Sequence, residues 1–384
     1  MTTIAASDAT NKLAAFVGGS IGSDPYSHTT WSGLMVHLLP ALERAGCLQQ
    51  ALSVKVPPLH NSLLLAKNFA RDRGVWRKHY YFDPAYRAAL TRAAGRLPLQ
   101  AQVCLQIGMM MSLPEVFPTH PCMAYNDGNL AELLDSGFGL QGVSARRIDQ
   151  AMRYEQEVAQ RLDRVLTFSE HLRQSFIHNY HLDPARVIVV GAGINLSSLP
   201  PENPDKRYDT PRILFVGKEF ERKGGLVLLQ AFRAVRAALP TAELHIAGPL
   251  SLPEVPEGVV FHGHLSKADP QQRAKLEQLY RESTLFTLPS LYEPFGIAPL
   301  EAMLFQLPCV VTRAWALQEM VTPGFNGDLA EKGSAEDLAT KLIALLREPD
   351  QLREMGKRGR QMVLERYTWE TVGANFRAVL NGLT

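Results

Sequence analysis

The chain has 384 residues, of which 46% are hydrophobic and 20% charged, and a formal net charge of +2. That length exceeds what one ordinary core organises, so two domains are expected. The near-neutral balance argues against general nucleic-acid binding, which needs a marked basic excess, and no apolar run reaches the ~18 residues of a membrane span. In chain order, short β-rich runs fall at "LAAFVGG" (13–19), "AQVCLQIG" (101–108), "PCMAYND" (121–127), "RVLTFS" (164–169) and "RVIVVGAG" (186–193). They resume at "RILFVG" (212–217), "ELHIAG" (243–248), "VVFHG" (259–263), "TLFTLPS" (284–290) and "PCVVT" (308–312). Helical stretches lie between them. In "GGLVLLQAFRAVRAALP" (224–240), for example, Leu228, Phe232, Val235 and Leu239 recur on one face. Alternating strands and helices predict parallel sheets covered on both sides.

The segment "LSSLPPENPDKRYDTPR" (196–212) holds four prolines and six charged residues without periodicity, and reads as a connection between two α/β halves. The expected organisation is a first domain over 1–195, a linker over 196–211, a second domain over 212–367, and a C-terminal helix over about 368–384 that rejoins the first domain. Cys47, Cys104, Cys122 and Cys309 form no C-x-x-C pair and lie in or beside apolar segments. Free buried thiols in a reducing cytosol are expected, not a zinc site. The opening "MTTIAASDATNKLAAFV" lacks the basic start and long apolar stretch of a targeting signal, and a cytoplasmic location is expected.

In doubly wound sheets, ligands sit beyond the carboxyl ends of the strands, so the exit loops are where chemistry is sought. In "FVGKEFERKGG" (215–225) a strand ends at Val216, Gly217 allows close backbone approach, and Lys218 and Lys223 flank a loop that opens a helix at Gly224 and Gly225. Two ammonium groups near a helix N-terminus suit a diphosphate. In "LYEPFGIAPLEAM" (291–303) a strand exit loop runs into a helix that tolerates Pro299 in its first turn. The amides of Phe295, Gly296 and Ile297 are placed to bind an anion, with Glu293 and Glu301 flanking them. A carboxylate there can accept hydrogen bonds from sugar hydroxyls, or simply complement the helix dipole.

Glu293 and Glu301, separated by seven residues within "EPFGIAPLEAM", resemble the paired-glutamate signature of retaining glycosyltransferases of family 4. The "G-K-x4-K-G-G" loop is similar to that family's basic phosphate loop, and 325–372 is similar to its usual ending. The resemblance is strong over about 180–384 and weaker before it. It implies the GT-B fold, an α/β arrangement of two Rossmann-like doubly wound parallel-sheet domains facing a cleft. It implies that Glu301 holds nucleotide ribose hydroxyls, open to the gap between the halves, and that Glu293 lies near the donor sugar. Phe295, Gly296 and Ile297 would offer backbone donors, and Lys218 and Lys223 would converge on the same pocket and neutralise the leaving diphosphate. Where the family commonly has Arg, this chain has Lys218, which cannot make a bidentate fork.

The family's glycine-rich turn near the donor phosphates matches "TTWSG" (29–33), assigning Ser32 and Gly33 to donor binding; Asp24, His28 and Trp31 are acceptor-side candidates. Trp31 either stacks on a sugar or anchors its loop. Where the family often places a His, Asn126 or Asp127 stands instead, and Asp127 is the preferred ligand of sugar hydroxyls, although Asp127-Gly128 also reads as a turn and helix cap. No Asp-x-Asp triplet occurs, so no metal or other cofactor is expected and phosphate charge falls to the lysines and the helix start.

The function implied is a retaining, metal-independent hexosyltransferase taking a UDP- or GDP-sugar and a hydroxyl acceptor such as a glycan, a lipid-linked species or a small molecule. The alternatives are a sugar-nucleotide epimerase of the same fold and a non-catalytic nucleotide-sugar-binding protein. Residues 67–96 carry eight Lys/Arg against two Asp with interleaved aromatics. They read either as a solvated face or as a peripheral contact with the inner face of a membrane.

Overall fold

The structure is a computed structural model that describes residues 11–18, 24–28, 30–196, 198–249 and 254–383. The first sheet consists of β1 (Leu13–Val17), β2 (Leu48–Ser53), β3 (Val103–Ile107), β4 (Cys122–Asn126), β5 (Arg164–Thr167) and β6 (Val187–Val189), in the order β2-β1-β3-β4-β5-β6. The second consists of β7 (Arg212–Val216), β8 (Glu243–Ala247), β9 (Val259–Gly263), β10 (Leu285–Leu288), β11 (Cys309–Thr312) and β12 (Gly327–Ala330), in the order β12-β11-β10-β7-β8-β9. Every pairing in both sheets is parallel.

Helices α1 (Met35–Arg44), α2 (Pro58–Lys67), α3 (Arg73–Tyr81), α4 (Pro84–Ala94), α5 (Leu130–Ser136), α6 (Ala145–Arg161) and α7 (Glu170–Asn179) belong to the first half. Helices α8 (Gly225–Ala238), α9 (Pro270–Glu282), α10 (Ile297–Leu304), α11 (Leu317–Met320), α12 (Ala335–Leu346), α13 (Pro349–Arg366) and α14 (Trp369–Asn381) follow. The central strands β1, β3 and β4 are buried along their whole length, because helices cover both faces of each sheet. The apolar face read in α8 packs inward through Leu228, Phe232 and Val235.

Two strands were not expected from the sequence. β2 ("LQQALS") and β12 ("GDLA") are sheet edges without a β-branched residue. Their residues become strands by pairing with β1 and β11, not through local preference. All four cysteines are free and buried, as anticipated. The last helix returns to the first half. The Trp369 indole N–H donates to the Ile194 carbonyl at 2.8 Å, Asn375 Nδ2 donates to the Val190 carbonyl at 3.1 Å, and Gly373 lies against the backbone of Ala41 in α1. Among the described residues no helix is long and apolar enough to cross a membrane.

Candidate active site

Chain order reverses at two places in these sheets: between β1 and β3 in the first, and between β7 and β10 in the second. At such a point the crossovers leave to opposite sides, and a crevice opens beyond the strand ends. In the second sheet the loops leaving it are 217–224, after β7, and 289–296, after β10, the two segments singled out from the sequence.

These two loops are locked together. Arg222 donates from Nη1 to the Tyr292 carbonyl at 2.7 Å, and its own carbonyl accepts from the Leu291 amide at 2.8 Å. Gly224, with φ +75°, packs so closely on Pro289 that a Cβ would run into the Pro289 carbonyl. Only glycine fits there on both counts. Lys223 is thereby directed onto Glu293 Oε2, with which it forms an ion pair, while Arg222 Nη1 lies 3.9 Å from the same oxygen and Ser290 Oγ 3.5 Å from it. Gly217 ends β7, donating to the Ala247 carbonyl at 2.9 Å and packing against the stem of Lys223. Lys218 is exposed and makes no ion pair among the described residues. The two cations gathered on Glu293 are therefore Lys223 and Arg222, while Lys218, expected beside Lys223 at the diphosphate, stands outside this group. Reading the loop as Lys-x4-Lys missed Arg222, whose role comes from the neighbouring loop it staples.

Gly296 (φ +97°) turns the chain into α10, and no acceptor among the described residues takes the amides of Gly296 or Ile297. They retain the anion-binding capacity of a helix start. The Phe295 ring is buried in the seam, edge-on to Phe168 of the first half at 5.3 Å.

Glu301 departs from expectation. It is 1% exposed, its Oε1 is taken by Lys267 and its Oε2 faces the Tyr280 hydroxyl at 3.4 Å. Lys218 and Lys223 do not pair with it. Lys267 stands where the halves meet. Its Nζ also approaches the Asn195 carbonyl at 3.5 Å, and its charge adds to burial in pushing His37 of α1 down to about 4. The physical reason for the difference is that a carboxylate in the second turn of a helix packed on apolar residues is desolvated unless a cation reaches it. Lys267, 34 positions earlier, was invisible to local reading.

The facing wall comes from the first half. Asp127, just after β4, stays open to solvent at its surface although protein crowds it from every side, the situation of a group on the floor of a cleft. Burial raises its pKa and the charge of Glu293 adds to that, against its own amide, the Gly128 amide and Arg222. The adjoining Gly128 sits close enough to the Pro294 ring and the Tyr292 hydroxyl that a Cβ there would be 3.0 Å from Pro294. Asn129, not Asp127, caps α5, accepting from the Glu132 amide at 2.9 Å. The capping alternative for Asp127 is thus removed. Asn126 is 2% exposed, and neither its amide nitrogen nor its amide oxygen finds a partner among the described residues. A buried amide with both ends unsatisfied is costly and marks a place where a polar ligand is welcome. Sequence reading preferred its neighbour.

Glu132 is also buried without a hydrogen bond to either oxygen; His171 Nε2 approaches Oε1 at 3.4 Å. Burial, with the charge of Asp127 adding, pushes Glu132 up to about 8, and burial lowers His171, so the two are neutral partners near pH 7. Across the seam, Glu319 of α11 accepts from the amides of Glu170 and His171 at 3.0 and 2.5 Å, capping α7 from the other half.

The N-terminal candidates make no hydrogen bond or ion pair with these groups among the described residues, although the charge of His28, like that of Lys267, acts on His37. Asp24 closes a local turn, its Oδ1 accepting from the Tyr26 amide at 2.9 Å, and His28 is exposed. Gly33 takes φ +84°, and the Ser32 side chain lies outside the described residues. Trp31 sits at φ +49° with its ring packed over Gly108 at the first sheet's reversal point, and its indole N–H is buried without an acceptor among the described residues. Among the described residues no three His, Cys, Asp or Glu side chains gather to hold a metal ion.

Residues 210–348 match the family model of the group 1 glycosyl transferases. Over 234 residues the chain is 28% identical to the D-inositol 3-phosphate glycosyltransferase of Rhodococcus opacus, covering 56% of this chain and 52% of that protein. Over 307 residues it is 27% identical to the protein of the same name from Segniliparus rotundus, covering 74% and 65%. It thus spans between half and two thirds of the length of these curated relatives. Among solved structures, a sucrose-phosphate synthase from Thermosynechococcus elongatus superposes with a TM-score of 0.70 at 17% identity, covering 97% of this chain and 99% of that one. Anabaena HepE, solved with UDP and glucose, superposes with a TM-score of 0.67 at 14% identity, covering 97% and 100%. These likenesses show the fold: two Rossmann-like domains in the GT-B arrangement.

Proposed function

We propose that the protein is a retaining glycosyltransferase that moves a hexose-type sugar from a UDP- or GDP-sugar to a hydroxyl of a glycan, lipid-linked or small-molecule acceptor, with no metal ion required. The observation that carries this reading is the gathering of Lys223 and Arg222 on Glu293 beside the open amides of Gly296 and Ile297, at the reversal point of the second sheet. A bound diphosphate would take over the cations that Glu293 now holds. That provides the electrostatic stabilisation of a leaving group on which such a reaction depends. Lys218, exposed at the loop's start, would add a third cation.

In this reading Glu301 receives the ribose hydroxyls once Lys267 yields it, and Gly217 lets the backbone approach the phosphates. Asn126 and Asp127 on the facing wall would hold hydroxyls of the donor sugar. Ser32 and Gly33 complete the donor side, with Asp24, His28 and Trp31 nearer the acceptor. The sugar's anomeric carbon breaks its bond to the diphosphate oxygen and forms one to the acceptor oxygen on the same face. The acceptor proton passes to the departing phosphate oxygen. Contact of the two domains around Gly128 and Pro294 excludes water that would otherwise hydrolyse the donor. The D-inositol 3-phosphate glycosyltransferase relatives and the UDP-bound HepE support the class of donor and acceptor.

The test is proton NMR of products formed from UDP- and GDP-sugars with a panel of acceptors. A product with the donor's anomeric configuration is expected. The opposite configuration rules out retention, an epimerised donor formed without acceptor rules out transfer, and donor binding with no nucleotide release under any acceptor rules out catalysis.

A further inference from the structure

The three most exposed large apolar side chains among the described residues belong to one short segment: Leu59 at 78%, Leu63 at 63% and Phe69 at 65%. Leu59 and Leu63 stand one turn apart on α2, the exposed Ala66 continues their face, and Phe69 follows in the turn after the helix. The ridge is braced from behind. The Phe69 ring meets Trp76 of α3 edge-on at 5.6 Å, and the Trp76 indole N–H donates to the Leu65 carbonyl at 2.9 Å.

The charge around this ridge is one-sided. Residues 55–78 include Lys55, Lys67, Arg71, Arg73, Arg77 and Lys78 against a single acid, Asp72. Asp72 is committed to capping α3, accepting from the Val75 amide at 2.8 Å. Lys67 is held by Asp83, which leaves Lys55, Arg71, Arg73 and Arg77 exposed in the segment that carries and flanks the apolar side chains. The basic stretch noticed in the sequence, 67–96, is only partly this surface. Its later half turns partly inward, with Tyr80, Tyr86 and Arg87 buried and Arg87 bound to the carbonyls of Tyr81 and Ala151, while Arg92 and Arg96 stay exposed.

We propose that α2 and the α2–α3 turn form a docking face for an anionic lipid bilayer. Leu59, Leu63 and Phe69 enter the boundary between headgroups and acyl chains, and Lys55, Arg71, Arg73 and Arg77 lie against lipid phosphates. An apolar ridge alone would suit many partners; a ridge flanked along the chain by exposed cations, with the segment's one acid already engaged, is complementary to a negatively charged interface. α2 begins just beyond the carboxyl end of β2, on the same end of the first sheet as the cleft. The face does not depend on which reaction the cleft performs.

The test is co-sedimentation of the full-length protein with vesicles of phosphatidylcholine, alone or with phosphatidylglycerol. Binding to the anionic vesicles only is expected, with loss at about 0.5 M salt, where screening shortens the reach of each charge to a few Å. The Arg71→Ala, Arg73→Ala, Arg77→Ala variant should partition roughly 100-fold more weakly, at about fivefold per charge. The Leu59→Ser, Leu63→Ser, Phe69→Ser variant should lose at least about tenfold. All six side chains are exposed or half-buried, and a circular dichroism melt checks that each variant folds. Equal binding to neutral vesicles, no binding to anionic ones, or wild-type partitioning by either variant would overturn the proposal. So would a dimer in light scattering that dissociates in the serine variant, because the face would then belong to a second copy of the chain.

Discussion

Replacing Lys223 by Met removes the cation that Glu293 holds in the cleft. Glu293 is 6% exposed, and its Oε2 would keep only Arg222 Nη1 at 3.9 Å and Ser290 Oγ at 3.5 Å. Breaking a buried ion pair from one side costs about 3–5 kcal/mol when nothing else compensates. With the guanidinium still near, about 2 kcal/mol is expected, or roughly 4–8 °C in melting temperature for a domain of this size. Glu293→Gln should remove the stranded charge, so the double variant recovers part of that loss, with a coupling of about 1–2 kcal/mol. Turnover should behave differently. Lys223→Met is expected to lower nucleotide release from a sugar donor by about 100- to 1,000-fold, the scale of removing one group that stabilises developing charge, and Glu293→Gln should not restore it. Thermal melts of the four proteins and a coupled nucleotide-release assay read both quantities. Additive melting shifts, or Lys223→Met turnover within about threefold of wild type, would refute the assignment of Lys223 to both the pair and the phosphate.

Glu132→Gln should flatten the pH dependence of stability. In the folded protein the carboxyl is pushed up to about 8 from an ordinary 4.5, so the native state binds the extra proton between those values. Wild-type stability therefore falls as pH rises from about 5 to 8, and melts across that range should show the variant gaining on wild type toward pH 8. Asp127→Asn should cut turnover by at least about tenfold while nucleoside diphosphate affinity changes less than about twofold, because in the proposed reading the residue holds hydroxyls of the donor sugar; steady-state kinetics with calorimetry separates the two. Glu301→Ala should weaken nucleoside diphosphate binding by about tenfold or more. Lys267→Met, by freeing that carboxylate, should tighten it several-fold; calorimetry showing Glu301→Ala unchanged would remove Glu301 from the ribose.

The strands with apolar, β-rich sequence were legible because each carries its own signal, even at the partly exposed edges β6 and β9. Two other edges, β2 and β12, were not, since they lack β-branched residues and gain strand form only from a neighbour. The site divides in the same way. Lys223, Glu293, Gly296 and Ile297 could be found from strand–loop–helix punctuation within a dozen residues. Arg222 looked like one charge among several until its neighbour loop was in place. Asn126 could not be told from Asp127 without knowing which of them is buried and unpartnered.

What the sequence determined alone was the alternation that makes two parallel sheets and the glycines and charged residues at their exit loops, since both depend on neighbours in the chain. Which charges meet was decided only in three dimensions. Lys267 reaches Glu301 from 34 positions away, Glu319 caps a helix of the opposite half, and Asp127 faces Glu293 across the seam. Such partners are selected by desolvation. A buried carboxylate takes whatever cation or amide the packing brings within reach, and packing depends on the whole fold.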